Sequence, residues 1–263
     1  MFKSLSQSLL MGLGLLYWGV AGLAVTVVGS LLYAILPKKY SLPCGRFILQ
    51  KAFLVFITYF KVAGLLELDD SALQQLADKH GPMIIAPNHI SLWDAVFIIA
   101  KIPETVCIMK GAILRNPFLG GGARLAGYIP NDSTSQMLLA ASHQLKRGAK
   151  LLLFPEGTRT KTDAQWLNPF QGAVGLIAKH SAAPVFPVFI RCNSRFYEKD
   201  WPMYRKPPQF PIHISFEVGE PITFAAGDSV QAFTEHLEQL YTTELSKPHP
   251  LRRKSVNSVN IQK

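Results

Sequence analysis

A histidine and an aspartate that could act together in catalysis stand five positions apart in the stretch NHISLWD, residues 88–94. An aspartate within hydrogen-bond reach of a histidine fixes the tautomer of the ring and stabilises its protonated form. The stretch lies between a predicted strand and a predicted helix, where the turn can fold the Asp94 carboxylate back toward the His89 ring. The pattern predicts a general base that takes a proton directly from an alcohol, so no serine or cysteine nucleophile is needed.

A second polar segment, FPEGTRT at residues 154–160, follows another apolar run further along the chain. Gly157 allows close backbone approach, Glu156 can accept hydrogen bonds from hydroxyls, and Arg159 can grip a phosphate through its planar guanidinium. We expect a loop that holds the acceptor. A strand-to-loop turn in which Glu156 and Arg159 only pair with each other is the open alternative.

The composition narrows the class of protein. The 263 residues give room for one medium-sized domain, and a content of 49% hydrophobic and 17% charged residues excludes a disordered chain and indicates contact with lipid. The net charge of +10 requires an anionic partner, either a lipid surface, a phosphorylated or acidic-carrier substrate, or nucleic acid. Nucleic acid is disfavoured because the charge flanks apolar segments and no reading motif accompanies it.

Neither the cysteines nor the histidines indicate a metal centre. Cys44, Cys107 and Cys192 are far apart, which offers no disulfide framework and no metal knuckle and fits a reducing compartment. There is no HExxH motif, and the histidines other than His89 are scattered along the chain. We therefore expect no metal and no cofactor.

The amino-terminal part of the chain predicts membrane attachment. Leu9 to Leu36 contains no charged side chain, and as a helix it would measure roughly 42 Å, against about 30 Å for a hydrocarbon core. The basic residues that follow it, at 38, 39, 46 and 51, outnumber Lys3 before it, which places the bulk of the chain in the cytoplasm. A second stretch, Phe47 to Leu66, predicts a helix in the headgroup plane. The two stretches could also form a hairpin that dips into one leaflet.

From Asp69 to Ser246 short β-rich runs alternate with amphipathic runs, which indicates an α/β fold. The predicted strands are Met83 to Pro87, Thr105 to Met109, Lys150 to Phe154, Val185 to Ile190 and Ile212 to Val218. The predicted helices are Ser71 to Lys79, Leu92 to Ala100, Thr134 to Arg147, Ala173 to His180 and Ser229 to Leu245. We expect membrane-anchoring helices over 1–66, an α/β domain over 67–246, and a basic flexible tail over 247–263 that contains Arg252, Arg253, Lys254 and Lys263.

Together these residues resemble the glycerolipid acyltransferase family, whose best-known members are the 1-acylglycerol-3-phosphate acyltransferases. Its NHxSxxD block falls on Asn88, His89, Ser91 and Asp94, and its FPEGTR block falls on residues 154–159. The resemblance runs over roughly Met83 to Val188 in the correct order. Two weaker blocks support it: the acceptor-side pattern of Lys110, Pro117, Gly127 and Ile129, and the proline-containing strand at 183–188.

The resemblance implies a fold, a reaction and a site. The fold would be a mixed, largely parallel sheet flanked by helices, and the reaction acyl transfer from acyl-carrier protein or acyl-CoA to a lysophospholipid hydroxyl at the cytoplasmic face of a bacterial-type inner membrane. His89 would be the base and Asp94 its partner. The remaining roles would be shaping of the turn by Asn88 and Ser91, and acceptor contact by Glu156, Gly157, Thr158 and Arg159. Lys110 and Arg124 would bind substrate, or be solvated or headgroup-contacting charges.

One departure from the family pattern concerns the acceptor. Lysophosphatidate acyltransferases usually have an arginine a few residues after the Gly-x-Ile pattern, where this chain has Ser133. A neutral hydroxyl cannot replace a bidentate phosphate clamp, a loss of roughly 1.5 to 3 kcal/mol. The alternatives are therefore the same transfer to a lyso-aminolipid or a specialised polyene lipid, a catalytically silent lipid-binding protein, and a hydrolase or metalloenzyme.

Overall fold

A computed structural model describes residues 2–117, 120–202 and 205–251. The basic tail predicted around Arg252, Arg253, Lys254 and Lys263 lies outside the described residues. The helices are α1 Phe2–Ile35, α2 Lys38–Val62, α3 Ser71–Asp78, α4 Asp94–Lys101, α5 Gly111–Leu114, α6 Gly120–Leu125, α7 Thr134–Lys146, α8 Ala173–Ser181 and α9 Val230–Ser246. The strands are β1 Leu66–Asp69, β2 Met83–Pro87, β3 Thr105–Met109, β4 Ile129–Pro130, β5 Lys150–Leu152, β6 Val185–Cys192 and β7 Ile212–Val218.

These strands form one mixed sheet in the order β1-β7-β6-β2-β5-β3-β4. All pairs are parallel except β6 with β7. Strands β2 and β6 are buried along their whole length, as continuous apolar runs are when helices cover both faces of a sheet. The predicted α/β class with a largely parallel sheet is confirmed.

The topology brings the polar motifs to one side of the sheet. Because β6, β2, β5, β3 and β4 run parallel, the segments that follow them leave from the same edge, here called the carboxyl edge. The segment 88–94 follows β2 and the segment 154–160 follows β5, its direct neighbour. Adjacent strands are about 4.8 Å apart, so the two motifs meet.

The predicted elements are present with small changes at their ends. Strand β5 ends at Leu152, two residues before the predicted end, and the chain then turns at Gly157, whose N–H donates to the Phe154 carbonyl at 3.0 Å. Strand β6 continues to Cys192. Four short elements were not predicted: β1, β4, α5 and α6.

Helices α1 and α2 form an antiparallel hairpin. The Tyr17 hydroxyl donates to the Ala52 carbonyl at 3.2 Å, and the Tyr59 hydroxyl donates to the Leu10 carbonyl at 2.7 Å. Helix α2 begins nine residues before the predicted interfacial stretch, directly after Pro37 at its N-cap. Both helices are long and apolar enough to cross a membrane.

The hairpin also packs against the α/β domain. The backbone of α6 approaches α1 so closely that a Cβ on Gly121 would lie 2.3 Å from the Thr26 carbonyl oxygen. On α2, the rings of Phe56 and Phe60 each pack 4.9 Å from the ring of Trp93, next to the predicted site. The opposite side of the hairpin, here called the apolar face, exposes Leu5, Leu9, Leu13, Leu16, Val20, Leu23, Val27, Leu31 and Ile35 of α1 and Phe47, Leu54, Val55 and Val62 of α2.

Candidate active site

The histidine and the aspartate of the first motif are in contact. Nδ1 of His89 lies 3.0 Å from Oδ2 of Asp94, whose side chain is buried while the His89 ring is 17% exposed. The ring stacks on Phe154 with a centroid distance of 3.8 Å. Because a carboxylate can only accept, the pair favours the tautomer with the proton on Nδ1, which leaves Nε2 free to act as a base.

The turn between them holds the aspartate in place. The Ser91 N–H donates to the same oxygen, Oδ2 of Asp94, at 2.8 Å. Asp94 is the first residue of α4, where the helix dipole favours a negative charge. The Asn88 amide exchanges two hydrogen bonds with the Ile190 backbone, at 2.7 Å and 3.1 Å, and so ties the end of β2 to β6. Asn88 and Ser91 are thus placed where the resemblance predicts turn-shaping residues.

Glu156 is held by protein atoms, and its contact with the acceptor stays a prediction. Its side chain is buried, and its oxygens accept hydrogen bonds from the His89 N–H at 2.8 Å, the Asn168 N–H at 2.7 Å and the Thr160 hydroxyl at 2.9 Å. Burial raises the pKa of this carboxyl to about 7, although the three hydrogen bonds act in the opposite direction. Glu156 therefore joins the second motif to the backbone of the first.

The loop after Glu156 wraps around the histidine. Gly157 has a φ of +67°, which favours glycine, and Thr158 beside it is partly exposed. The Thr160 N–H donates to the His89 carbonyl at 2.6 Å, a second link between the motifs. Thr158 and Glu156 also border a cavity of about 400 Å³.

Arg159 is also engaged with protein atoms. Its Nη1 donates to the carbonyls of Tyr197 at 2.9 Å and Glu198 at 2.7 Å, in the segment that follows β6. Glu156 and Arg159 do not pair, since the partners of Glu156 are His89, Thr160 and Asn168. The alternative of a turn in which Glu156 and Arg159 only pair with each other is therefore wrong. Both hydrogens of Arg159 Nη1 are directed at protein carbonyls.

The two remaining predicted cations are in different environments. Lys110 follows β3 at the carboxyl edge and is exposed, and its ammonium has no hydrogen-bond partner among the described residues. Arg124 lies on α6, where its guanidinium donates to the Leu114 carbonyl at 2.5 Å and lies 3.5 Å from the Ser30 hydroxyl of α1. Ser133 follows β4 at the carboxyl edge, and its hydroxyl lies 3.3 Å from that of Ser135.

Several residues around the site were missed from sequence. Thr160 and Asn168 hold Glu156, Tyr197 and Glu198 hold Arg159, and Trp93 packs the first motif against α2. Trp93 and Thr160 lie inside or next to the motifs, so their place in the sequence could have predicted that they lie near the site. Asn168 and the segment around Tyr197 carry no such signal, because their relation to the motifs depends on strand order. Across the described ranges, no three histidine, cysteine or acidic side chains converge as a metal site would require.

Comparisons with known proteins show which proteins this chain resembles. Residues 70–191 match the family model described as Acyltransferase. A 1-acyl-sn-glycerol-3-phosphate acyltransferase of Pseudomonas aeruginosa is 24% identical over 228 residues, which cover 84% of either chain. A lyso-ornithine lipid O-acyltransferase of the same bacterium is 31% identical over 113 residues, 41% of this chain and 43% of that protein. The crystal structure of the 1-acyl-sn-glycerophosphate acyltransferase PlsC from Thermotoga maritima superposes with a TM-score of 0.59 at 19% identity, covering 92% of this chain and 98% of that one.

Proposed function

We propose that the protein transfers a fatty acyl group from a thioester to the free hydroxyl of a lysophospholipid, because residues 70–191 match the family model described as Acyltransferase and a 1-acyl-sn-glycerol-3-phosphate acyltransferase aligns over 84% of the chain. The acceptor that we propose is 1-acyl-sn-glycerol 3-phosphate, which would give phosphatidic acid. The observation that carries the proposal is the 3.0 Å contact between Nδ1 of His89 and the buried carboxylate of Asp94.

In this mechanism His89 Nε2 removes the proton from the acceptor hydroxyl as the oxygen attacks the thioester carbonyl. Asp94 stabilises the imidazolium that forms. The tetrahedral intermediate then collapses, the carbon–sulfur bond breaks, and the imidazolium returns the proton to the departing thiolate. The thioester is carried by acyl-carrier protein or acyl-CoA, and parallel assays with the two donors decide which one is used.

Lys110 is the cation that we propose for the acceptor headgroup. It follows β3, two strands from β2, which places its backbone about 10 Å from that of His89. Its exposed ammonium can reach toward a charge on the lipid that is bound between them. The contacts of Arg124 with Leu114 of α5 and Ser30 of α1 support a role in holding α6 against these two helices instead of a role in binding substrate.

The apolar face supports attachment to a membrane, for which we propose the cytoplasmic leaflet of a bacterial inner membrane. The contacts of α1 with α6 extend from Val25 to Ser30. A helix that crossed the bilayer along its full length would carry the packed α6 into the hydrocarbon with it. A hairpin that lies in one leaflet, with its apolar face toward the acyl chains, keeps the domain in water and the carboxyl edge near the headgroups.

The proposal is tested with protein reconstituted in vesicles that contain the lysolipid. His89→Ala should lower acyl transfer by at least about a hundredfold, the usual contribution of a general base, without releasing the protein from the vesicles. His80→Ala, a change of an exposed histidine, is the matched control. Full activity in His89→Ala would refute the mechanism, and no transfer by the unchanged protein to any lysolipid would refute the function.

A second acceptor class is favoured by Ser133. The serine stands where an arginine is usual, and the neighbouring Asp132 carboxylate accepts from the Gly111 N–H at 3.2 Å and from Arg115 at 3.1 Å. A lyso-aminolipid presents no phosphomonoester to this edge, and one relative is named as an acyltransferase for such a lipid. We expect Ser133→Arg to raise the preference for phosphate-bearing over phosphate-free acceptors. A wild-type enzyme that already uses only phosphate-bearing acceptors would exclude this second class.

A further inference from the structure

The carbonyl oxygen of Tyr197 joins both sequence motifs at one point. It accepts from Nη1 of Arg159 at 2.9 Å and from the Leu92 N–H, inside the first motif, at 3.0 Å. The next carbonyl, of Glu198, accepts from the same Nη1 at 2.7 Å. Nη1 carries two hydrogens and meets two acceptors, so the end of the guanidinium formed by Nη1 and Nη2 cannot make a two-pronged contact with a phosphate.

The segment that supplies these carbonyls is itself firmly held. The side chains of Tyr197 and Phe196 are buried. Their rings lie 4.9 Å and 5.7 Å, respectively, from the ring of Trp93. The buried Glu198 carboxylate pairs with Nη2 of Arg195 at 2.7 Å. Tyr197 has a φ of +44°, a conformation that a tyrosine keeps only where its surroundings enforce it. The two carbonyls are thus fixed acceptors.

From this geometry we propose that Arg159 is a positioning residue, whose Nη1 binds the two carbonyls and not the acceptor. The link from Arg159 to the carbonyls of Tyr197 and Glu198 is here called the Arg159 bridge. It holds the segment after β5 to the segment after β6, whose Tyr197 carbonyl also binds the Leu92 N–H of the segment after β2. The bridge thereby sets the position of the His89 ring relative to the substrate. This role rests on the proposed acyl transfer, because it assigns Arg159 a part in that same site.

The experiment compares three variants in lysolipid vesicles: Arg159→Ala, Arg159→Lys and Lys161→Ala. Lys161→Ala removes the same charge two positions away. Among the described residues, Lys161 makes hydrogen bonds only through its backbone, to Asn168 and Ala164, so this variant is the matched control. kcat and the acceptor KM are measured with one phosphate-bearing and one phosphate-free lysolipid. In parallel, modification of His89 by diethylpyrocarbonate is followed by peptide mass spectrometry, which needs no acyl substrate.

For Arg159→Ala we expect kcat to fall by about tenfold to a hundredfold with both acceptors, the scale of a small misplacement of catalytic groups, while KM stays nearly constant. The rate of His89 modification should change as well. Arg159→Lys should recover much of kcat, because an ammonium can donate to both carbonyls, and Lys161→Ala should resemble the wild type in every measurement.

A rise in KM confined to the phosphate-bearing acceptor, with kcat and His89 modification unchanged, would overturn the proposal. If Arg159→Ala does not fold, the same split is read from Arg159→Lys, where a raised KM with unaltered kcat overturns it and a lowered kcat with constant KM supports it. An unchanged protein that transfers no acyl group refutes the proposed function, whereas the modification rates still report whether Arg159 positions His89.

Discussion

The substitution Glu156→Gln tests the link between the two motifs most directly. The glutamine has the shape of the glutamate but only one acceptor oxygen, whereas Glu156 accepts from the N–H groups of His89 and Asn168 through different oxygens. In either orientation of the amide, one buried N–H faces an NH2 group. We therefore expect the backbone at His89 or the loop at Asn168 to shift.

The size of the effect follows from these contacts. A buried N–H without an acceptor costs about 1 to 3 kcal/mol. Displacement of a catalytic group by a fraction of an ångström to an ångström lowers rates by up to about a hundredfold. At about pH 8, where Glu156 is ionised in the wild type, we expect the variant to lose about tenfold to a hundredfold in kcat.

The same residue gives a pH signature of stability. Because burial raises the pKa of Glu156 from 4.5 to about 7, the folded protein keeps the proton through this interval while the unfolded chain releases it. Stability from this group is therefore fully present below pH 4.5 and falls by about 3 kcal/mol as the pH rises to 7. Glu156→Gln should lack this decrease.

The assay pairs vesicle acyl transfer with thermal unfolding in detergent at about pH 5 and about pH 8. Glu220→Gln, which changes an exposed glutamate just after β7, serves as the control for loss of one acidic group. The reasoning is refuted if Glu156→Gln keeps activity within about twofold of wild type and shows the same pH dependence of unfolding.

Three further changes test other parts of the structure. Asp94→Asn should lower kcat by about a thousandfold or more with little effect on acceptor KM, because the amide no longer selects the Nδ1–H tautomer, and an intact kcat would contradict the role of the pair. Trp93→Ala should lower stability by about 3 to 5 kcal/mol and speed proteolysis of α2, since five aromatic rings pack on Trp93; an unaltered unfolding temperature would argue against this cluster. Gly121→Ala should destabilise the hairpin by about 1 to 3 kcal/mol because the new Cβ meets the Thr26 carbonyl, whereas Gly19→Ala, whose Cβ meets nothing within 4 Å, should not; equal unfolding of the two variants would refute the close contact.

The outcome for individual elements shows where prediction from sequence succeeds. Strands β2, β3 and β7 have their predicted bounds because their apolar runs are buried by any α/β packing. The short β4 and α6 were missed, because two residues of strand or a glycine-rich helix of six residues have no periodicity to detect. Helix α6 exists because its glycines let α1 approach, a contact between segments that are distant in the chain.

The sequence by itself determined the contact between His89 and Asp94 and the apolar character of the first helices. His89 and Asp94 are close in the chain, so a strand-to-helix turn brings them together whatever surrounds it, and a long uncharged run is apolar in any fold. Only the tertiary structure decided that Glu156 holds the His89 backbone and that Arg159 binds the carbonyls after β6. The physical reason is the strand order: β2 lies between β5 and β6, and burial at that junction requires every polar group to find a partner among its new neighbours.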